Sequence, residues 1–185
     1  MLPHYIMNIS ELEISGCFLI RSKKFKDHRG SFVKTYHQDI YRELSLNFDF
    51  AEEFYSLSHK NVIRGMHFQA PPEDHDKIVY CPVGAVNDVF VDIRKSSKTY
   101  GQFKQIELTE DNGCILLLPK GIAHGFVSLT DNTLMVYKTS TTHSIVNDAG
   151  IRWDSFGYDW KVENPILSER DKNFIELSSF NSPFI

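Results

Sequence analysis

The pattern of hydrophobic and polar positions predicts a protein built almost entirely from β-strands. Short apolar runs alternate along the chain with clusters of Gly, Pro, Asp and Asn, which is typical of strands joined by turns. Because helical segments do not alternate with these runs, the pattern favours a jelly roll over a parallel α/β sheet. The candidate strands are residues 16–22, 31–36, 52–58, 77–84, 85–94, 103–109, 114–121, 124–130 and 134–140.

The run from residue 85 to residue 94 indicates that both faces of the sheets are covered. Val86, Asp88, Phe90 and Asp92 share one face of this strand, and the other face is mostly apolar. A strand with two filled but unequal faces suits a sandwich or a closed barrel. We therefore expect an all-β jelly-roll barrel.

Helical periodicity is confined to short segments. The main candidate runs from Asp39 to Phe48, with Ile40, Leu44 and Leu46 on its apolar face. We expect a few such helices at the periphery of the barrel.

After residue 144 the chain becomes rich in aromatic and turn residues and ends in a short helical pattern. No linker or repeat separates this part from the strands. We interpret residues 1–185 as one domain, in which a tail of about residues 144–185 packs over a jelly roll of about residues 12–143.

The composition describes a mildly acidic chain that can bury a sizeable core. Hydrophobic residues make up 42% and aromatic residues 13% of the 185 positions. The formal net charge of −4 argues against binding to nucleic acid or to an anionic membrane. The N-terminal sequence lacks the pattern of a secretory signal, and no run approaches the ~20 apolar residues of a membrane span.

The cysteines point to a reducing compartment. Cys17, Cys81 and Cys114 are odd in number, widely spaced and outside any C-x-x-C pattern. Neither a disulfide framework nor a zinc knuckle is predicted from them. We therefore expect a cytoplasmic protein.

Candidate chemistry is densest in "VIRGMHFQAPPEDHDKIVYC", residues 62–81. A metal site in a jelly roll would take two histidines one residue apart on one strand and a further histidine on a neighbouring strand. Here His67 is followed by Gln69, whose neutral amide is a far weaker ligand, and His124 lies in a later run. The sequence therefore predicts no bound metal.

The same stretch can supply acid–base chemistry. His67 lies on an apolar strand, where an imidazole needs a hydrogen-bond partner, although a satisfied core histidine is the simpler interpretation of one such residue. Arg64 would face away from His67 unless a bulge at Gly65 re-aims one of them. Lys77 would be either solvated or directed into the mouth of the barrel. Tyr137 lies on an apolar strand, where a phenolic hydroxyl usually has a hydrogen-bond partner.

Seven motifs occur in one order along the chain. Together they resemble the dTDP-4-dehydrorhamnose 3,5-epimerase family over about residues 12–172, and an ordered set is more specific than any single motif. The resemblance implies a cupin-like jelly roll that forms homodimers and acts, without metal or cofactor, on a nucleotide-linked 4-keto-6-deoxy sugar. The motifs are "DHRGSF" (27–32), "NVIRGMHFQ" (61–69), "GAVNDVFVDIRKSSKTYG" (84–101), "LPKGIAHGF" (118–126), "VYKTS" (136–140), "GIRWD" (150–154) and "ILSERD" (166–171).

The resemblance assigns four residues to the reaction. His67 would be the general base that removes a proton beside the ketone, and Asp171 would fix its tautomer. Lys77 would stabilise the enolate oxygen, and Tyr137 would return a proton from the opposite face. The chemistry requires these types of group, since inversion next to a ketone needs a base and an acid on opposite faces and a positive charge near the oxyanion.

The resemblance also implies the residues that bind the substrate. Arg29 and Arg64 would hold the pyrophosphate, which suits a planar guanidinium, and Arg29 would reach into the site of the partner subunit. His124 matches a position that lines the sugar pocket, and Asp88 would either contact the sugar or orient His124. The remaining predicted contacts are Phe32, Gln69 and Glu52.

Four departures from the common family pattern concern the substrate rather than the chemistry. They leave open the nucleotide (dTDP, CDP or GDP), the length of the sugar (hexose or heptose), and which of carbons 3 and 5 is inverted. The departures are "EEFYSLS" in place of a Q-x-N-x-S run, Lys34 in place of an acidic residue, Thr142 and His143 in place of two tyrosines, and the Pro-Pro and His75 of "HFQAPPEDHDK".

Two other functions stay open. A related ketoisomerase would keep the histidine base, but Asp171 and Tyr137 together favour epimerisation, because only inversion needs an acid on the opposite face. A non-catalytic module for sugar nucleotides would explain a pocket but not a complete set of acid–base residues. An epimerase requires His67 and Tyr137 on opposite walls of one cavity.

Overall fold

Two antiparallel sheets face each other and form a barrel. The computed structural model describes residues 7–43, 46 and 48–185. One sheet has the strand order β1-β2-β10-β7-β12-β5, the other β13-β6-β11-β8-β9, and β3 and β4 form a separate hairpin. The predicted all-β jelly roll is confirmed. The strands are β1 (Met7–Glu11), β2 (Phe18–Ser22), β3 (Lys24–Asp27), β4 (Gly30–Val33), β5 (Glu52–Ser58), β6 (Ile63–Gln69), β7 (Lys77–Val83), β8 (Ala85–Asp92), β9 (Phe103–Thr109), β10 (Cys114–Leu118), β11 (Ile122–Ser128), β12 (Thr133–Thr139) and β13 (Asp148–Gly150).

Each predicted strand overlaps an observed one, whereas β1, β3, β6 and β13 have no counterpart among the candidate strands. β6 contains His67, which was expected to lie on an apolar strand. β1 and β3 are short and largely polar strands, so their sequences carry little hydrophobic signal. They are defined by backbone pairing with β2 and β4 instead. Pairing of this kind depends on the neighbouring strand and cannot be read from the strand itself.

The helices are short and peripheral. α1 (Gln38–Glu43) ends earlier than predicted, and α2 (Glu169–Lys172) and a 3₁₀ turn (Leu177–Ser179) lie in the tail. Ile40 is buried as expected, Leu46 packs against the same cluster, and Leu44 lies outside the described residues. Among the residues that are described, no helix is long and apolar enough to cross a membrane.

Strand β8 shows how the two faces of the second sheet are filled. Val86 and Phe90 point into the barrel interior, whereas Val89 and Val91 belong to a different cluster outside it. That outer cluster includes Trp160 and other residues of the tail, so the tail covers the outer face of the sheet. A third cluster packs α1 against the outer face of the six-stranded sheet.

We expect the barrel and the tail to unfold as one cooperative domain. Phe184 is buried and packs edge-on against Phe68 of β6, with ring centroids 5.8 Å apart. Phe184→Ala should therefore lower the free energy of unfolding of the whole molecule by about 3 kcal/mol. Urea unfolding followed by near-ultraviolet circular dichroism and by tryptophan fluorescence should show one shared transition.

The neighbouring Ile185 provides the control. Its side chain is 96% exposed, so Ile185→Ala should change the stability by less than about 0.5 kcal/mol. Two separate transitions, with only one of them shifted by Phe184→Ala, would show that the tail is an independent unit.

Candidate active site

A cavity of about 350 Å³ opens between the two sheets. Strands β5, β7 and β12 line it from the six-stranded sheet, and β6, β11 and β13 line it from the other. A pocket with a polar lining inside a packed barrel is the expected place for a small ligand. Seven of the predicted site residues line it: Glu52, Arg64, His67, Gln69, Lys77, His124 and Tyr137.

His67 and Tyr137 lie on opposite walls of this cavity. His67 is on β6 of the five-stranded sheet, and Tyr137 is on β12 of the six-stranded sheet. The geometric condition for an epimerase is therefore met. Neither side chain is directed into the packed core alone, since both contribute to the cavity lining.

A bulge in β6 brings Arg64 and His67 to the same cavity. His67 pairs with His124 and Arg64 pairs with Phe126, so β6 has one more residue in this interval than β11. Gly65 has a φ of +141°, and a Cβ there would lie 2.5 Å from the Cα of Gly125. Only glycine fits this position. The bulge directs Arg64 and His67 to the same cavity, as the sequence analysis required for the two residues to act together.

His67 is held by a carboxylate of the tail. Its Nε2 lies 2.8 Å from Oδ1 of Asp171, whose Oδ2 accepts the backbone N–H of Gly65 at 3.2 Å. Burial tends to raise the pKa of Asp171, but the hydrogen bonds from His67 and Gly65 outweigh it and hold the pKa below its ordinary value. Since Nε2 donates to this carboxylate, Nδ1 of His67 carries the lone pair that a base needs.

Tyr137 is held in a buried position against Phe54. The two rings are stacked with centroids 4.8 Å apart, and the Tyr137 hydroxyl lies 3.3 Å from Oγ of Ser56. Burial raises the pKa of this phenol, and the hydrogen bond with Ser56 opposes the shift only in part. The phenol therefore keeps its proton at neutral pH and is available as an acid.

Lys77 carries a buried amine at the start of β7. No hydrogen bond or ion pair of its side chain is observed within the described part of the chain. Burial lowers its pKa to about 8, and the negative charges of Asp88 and Asp148 offset part of that shift. An ammonium with no close partner can offer its full charge to a ligand in the cavity.

Asp88 lies behind His124 rather than in the cavity wall. Its Oδ2 is 2.8 Å from Nε2 of His124, and both side chains are buried. Burial raises the pKa of Asp88 and lowers the pKa of His124, so both groups are shifted toward their neutral forms. Of the two roles considered for Asp88, the geometry favours orientation of His124.

Arg29 and Phe32 do not reach the cavity of their own chain. Both lie on the β3–β4 hairpin, where Arg29 forms an exposed ion pair with Asp27 at 2.6 Å and Phe32 is 60% exposed. Arg29 was predicted to reach the site of a partner subunit, and neither Arg29 nor Phe32 is among the residues that line the cavity of its own chain. The two side chains remain candidates only for the cavity of a second chain.

Gln69 and Glu52 line the cavity but also hold its rim together. The Gln69 carboxamide accepts the N–H of Ser144 and donates to the carbonyl of Glu73 at 2.9 Å. Glu52 accepts the backbone N–H of His143 at 2.6 Å. Most of the hydrogen-bonding capacity of Gln69 is thus used within the protein, so a substrate contact by this residue stays a prediction.

Two charged residues that line the cavity, Arg170 and Asp148, were not predicted from the sequence. Arg170 donates to Oδ1 of Asp148 at 2.6 Å, and its guanidinium lies 5.1 Å from the ring centroid of Phe174. Arg170 directly precedes Asp171 in the "SERD" motif, which is a usable signal. Asp148 lies in a turn-rich segment whose pairing with β6 the sequence does not reveal.

No group of three or more His, Cys, Asp or Glu side chains suited to a metal ion occurs among residues 7–43, 46 and 48–185. The imidazoles of His67 and His124 each contact one carboxylate, which is that of Asp171 for His67 and that of Asp88 for His124. Such pairs orient an imidazole and adjust its basicity, which serves proton transfer.

Comparison with known proteins identifies the family of this chain. The model of the dTDP-4-dehydrorhamnose 3,5-epimerase family matches residues 11–179. The chain belongs to this family. The predicted resemblance is thereby confirmed, and the chain is an isomerase of the epimerase class.

Sequence relatives in this epimerase family cover almost the whole chain. The dTDP-4-dehydrorhamnose 3,5-epimerase of Shigella flexneri is 39% identical over 180 residues, which are 94% of this chain and 99% of the relative. The dTDP-4-dehydrorhamnose 3-epimerase of Streptomyces niveus is 33% identical over 93% of this chain and 84% of the relative. The name of the Streptomyces relative thus refers to epimerisation at carbon 3 alone.

A solved epimerase structure has the same fold. The dTDP-6-deoxy-D-glucose-3,5-epimerase of Legionella pneumophila, in complex with dTDP-4-keto-L-rhamnose, matches with a TM-score of 0.91 and 31% identity. The match covers 97% of this chain and 98% of that one. The barrel, the hairpin and the tail are thus shared features of the epimerase fold.

The buried amine of Lys77 should cost this family member stability. Its pKa of about 8 lies below its value in the unfolded chain, so the unfolded state binds more protons between about pH 8 and pH 10. The penalty is complete below pH 8 and is relieved as the pH rises through this range. Lys77→Met should raise the free energy of unfolding at pH 7 by roughly 3 kcal/mol, and the gain should fade near pH 10.5.

Urea unfolding of both proteins at pH 7 and pH 10 measures this difference. Lys26→Met is a suitable control, because Lys26 is 65% exposed and pairs with Asp111 on the surface. It should change stability by less than about 0.5 kcal/mol at either pH. A Lys77→Met variant less stable than wild type at pH 7 would show that the buried charge is compensated in the protein.

Proposed function

We propose that the chain inverts carbon 3, carbon 5 or both in a nucleotide-linked 4-keto-6-deoxy sugar, through an enolate. The observation that carries this proposal is the placement of His67 and Tyr137 on opposite walls of one cavity, together with the ammonium of Lys77. The Legionella relative, whose structure contains dTDP-4-keto-L-rhamnose, supports this class of substrate.

His67 acts as the base in this mechanism. Its Nδ1 lone pair accepts the proton from the carbon beside the ketone, and the electron pair moves onto the carbonyl oxygen. Asp171 stabilises the imidazolium that results, because its carboxylate is ionised and 2.8 Å away. An imidazole can both accept and release a proton, which suits the removal and the later return of the proton.

Lys77 stabilises the enolate oxygen, and Tyr137 completes the inversion. The charge of Lys77 is desolvated, which strengthens its interaction with an oxyanion. Tyr137 donates its phenolic proton to the carbon from the face opposite His67. One inversion leaves an imidazolium and a phenolate, and solvent returns both groups to their starting states.

The diphosphate would be held at the mouth of the cavity. Arg64 and Arg170 contribute guanidinium groups there, and each can form bidentate hydrogen bonds with phosphate oxygens. The nucleotide is dTDP, CDP or GDP. The departures at Glu52 and His143 change the groups that line this end of the site.

A homodimer would complete the site. Arg29 and Phe32 project from an exposed hairpin away from their own cavity. β5 is an edge strand of its sheet, and it exposes Tyr55 and Leu57 to solvent at 69% and 55%. An edge strand with exposed apolar residues is stabilised when a second chain covers it.

The proposed location is the cytoplasm. All three cysteines are free and buried, which suits a reducing compartment. Nucleotide-linked sugars are also made from nucleotides, which are cytoplasmic metabolites, so substrate and protein would share this compartment.

Deuterium incorporation tests the proposed chemistry. The protein is incubated in D₂O with dTDP-, CDP- and GDP-linked 4-keto-6-deoxy sugars, and exchange at carbons 3 and 5 is followed by NMR. We expect exchange with one nucleotide and a loss of at least about 10²-fold in His67→Asn, because general-base catalysis contributes this much. Tyr137→Phe should still exchange deuterium but form little inverted sugar, since His67 can return a deuteron only to the original face.

The same experiment separates the alternatives. Formation of a 3-keto sugar would identify a ketoisomerase. If no substrate exchanges deuterium while calorimetry still shows nucleotide binding, the epimerase is rejected and a binding module is favoured.

Mixed dimers test the role of Arg29. Arg29→Ala and His67→Asn should each abolish activity as homodimers, provided that Arg29 serves the site of the partner subunit. After the two variants are unfolded and refolded together, about a quarter of the sites should combine an intact His67 with an intact Arg29. Activity should return to about a quarter of the wild-type level. No recovery would place Arg29 in the site of its own chain, and an active Arg29→Ala homodimer would place it outside both sites.

A further inference from the structure

His75 lies on the loop that connects β6 and β7, and its ring lines the cavity. Hydrogen bonds join this loop to the segment that follows β12. Gln69 Nε2 donates to the carbonyl of Glu73 at 2.9 Å and lies 3.1 Å from Nδ1 of His75. The Thr141 hydroxyl donates to the same carbonyl of Glu73 at 2.9 Å.

The Nδ1 edge of the His75 ring is held within the protein. The orientation of the Gln69 carboxamide is set by Ser144, whose N–H donates to Oε1 of Gln69. The nitrogen of the Gln69 carboxamide therefore faces Nδ1 of His75, and the Thr141 hydroxyl lies 3.3 Å from the same atom. Both neighbours contact Nδ1, so Nε2 is the ring nitrogen that can meet a ligand.

The ring of His75 is also neutral. Burial and the positive charges of Lys77 and Lys120 lower its pKa to about 3, while the charge of Asp148 opposes the shift in part. A neutral imidazole offers either an N–H or a lone pair at Nε2, and a hydroxyl group can pair with both.

Nε2 of His75 has no hydrogen-bond partner in the part of the chain that the structure describes, because the hydrogen bonds of the ring all involve Nδ1. His75 and Lys77 are two residues apart, line the same cavity and also share a smaller void of about 10 Å³. Nε2 is therefore a free polar atom of a residue that lines the same cavity as the amine proposed to face the ketone oxygen.

The chemistry of the sugar limits which oxygen Nε2 can meet. In a 4-keto-6-deoxy sugar, carbon 5 carries a methyl group without oxygen. The exocyclic oxygen nearest to the ketone is then the hydroxyl on carbon 3. A polar atom in the cavity that holds the ketone oxygen is placed for this hydroxyl.

We propose that His75 binds the carbon 3 hydroxyl of the sugar through Nε2 and so acts as a substrate-binding residue at this site. The inference rests on the proposed function, since it takes the orientation of the ketone toward Lys77 from that mechanism. The contact exists in the bound substrate and in the transition state alike. Its loss therefore raises KM more than it lowers kcat.

Two substitutions separate this role from a purely structural one. His75→Asn can place an acceptor oxygen where Nδ1 lies, so it keeps the contact with Gln69, but it has no group at the position of Nε2. His75→Gln reaches the position of Nε2 with an amide donor and leaves nothing at Nδ1. The two variants thus remove the two sides of the ring one at a time.

Steady-state kinetics use the nucleotide-linked 4-keto-6-deoxy sugar on which the wild type is active. We expect His75→Asn to raise KM up to about tenfold with kcat within about twofold and an unchanged unfolding midpoint. His75→Gln should raise KM less than about threefold, although it loosens the rim and lowers the midpoint. His59→Asn is the matched control, because the His59 side chain is 81% exposed.

A 3-deoxy analogue of the same substrate identifies the oxygen. With this analogue, measured by deuterium exchange at carbon 5, wild type and His75→Asn should have the same KM. A tenfold difference that persists would assign His75 to another oxygen and overturn the proposal.

The ranking of the variants also decides between the roles. An unchanged KM in His75→Asn, or a larger KM increase in His75→Gln than in His75→Asn, would make His75 a structural residue of the rim and overturn the proposal. These outcomes require an active wild type, so they are distinct from failure of the proposed function. A wild type inactive on every substrate rejects that function, and the inference about His75 falls with it.

Discussion

The hydrogen bond between His67 and Asp171 joins the barrel to the C-terminal tail. His67 is set by the sheet and Asp171 by α2, which begins after the capping hydroxyl of Ser168. The two residues are 104 positions apart in the chain, so the pair exists only when the tail is packed on the outer face of the five-stranded sheet. The cluster around Trp160 holds the tail there. Apolar packing on one side of the sheet thus determines the state of the base on the other.

The close approach of β6 and β11 is the second requirement of the site. Gly65 and Gly125 lack the Cβ atoms that would collide with the facing backbone. The bulge that this approach permits turns Arg64 and His67 to one side of the strand. One strand thus presents a guanidinium and an imidazole to the cavity within four residues.

Buried charge gives the cavity its chemistry at some cost in stability. Lys77 loses hydration without a close counter-ion, and Asp88 retains one carboxylate oxygen without a hydrogen-bond partner in the described structure. Unpaired buried groups are destabilising and are concentrated at functional sites. The surrounding core of Phe90, Phe126 and their neighbours supplies the apolar burial that offsets this cost.

The sequence by itself determined the class of fold, the family and the residue types of the catalytic set. Alternating apolar positions reveal strands because each one buries a face, and ordered motifs preserve the groups that the chemistry requires. Only the tertiary structure decided which groups meet. It brought Arg170 and Asp148 to the mouth, placed Asp88 behind His124, and held Nδ1 of His75 against Gln69. These outcomes depend on strand register, on the bulge at Gly65 and on hydrogen bonds between distant loops, and no local pattern in the chain encodes such long-range contacts.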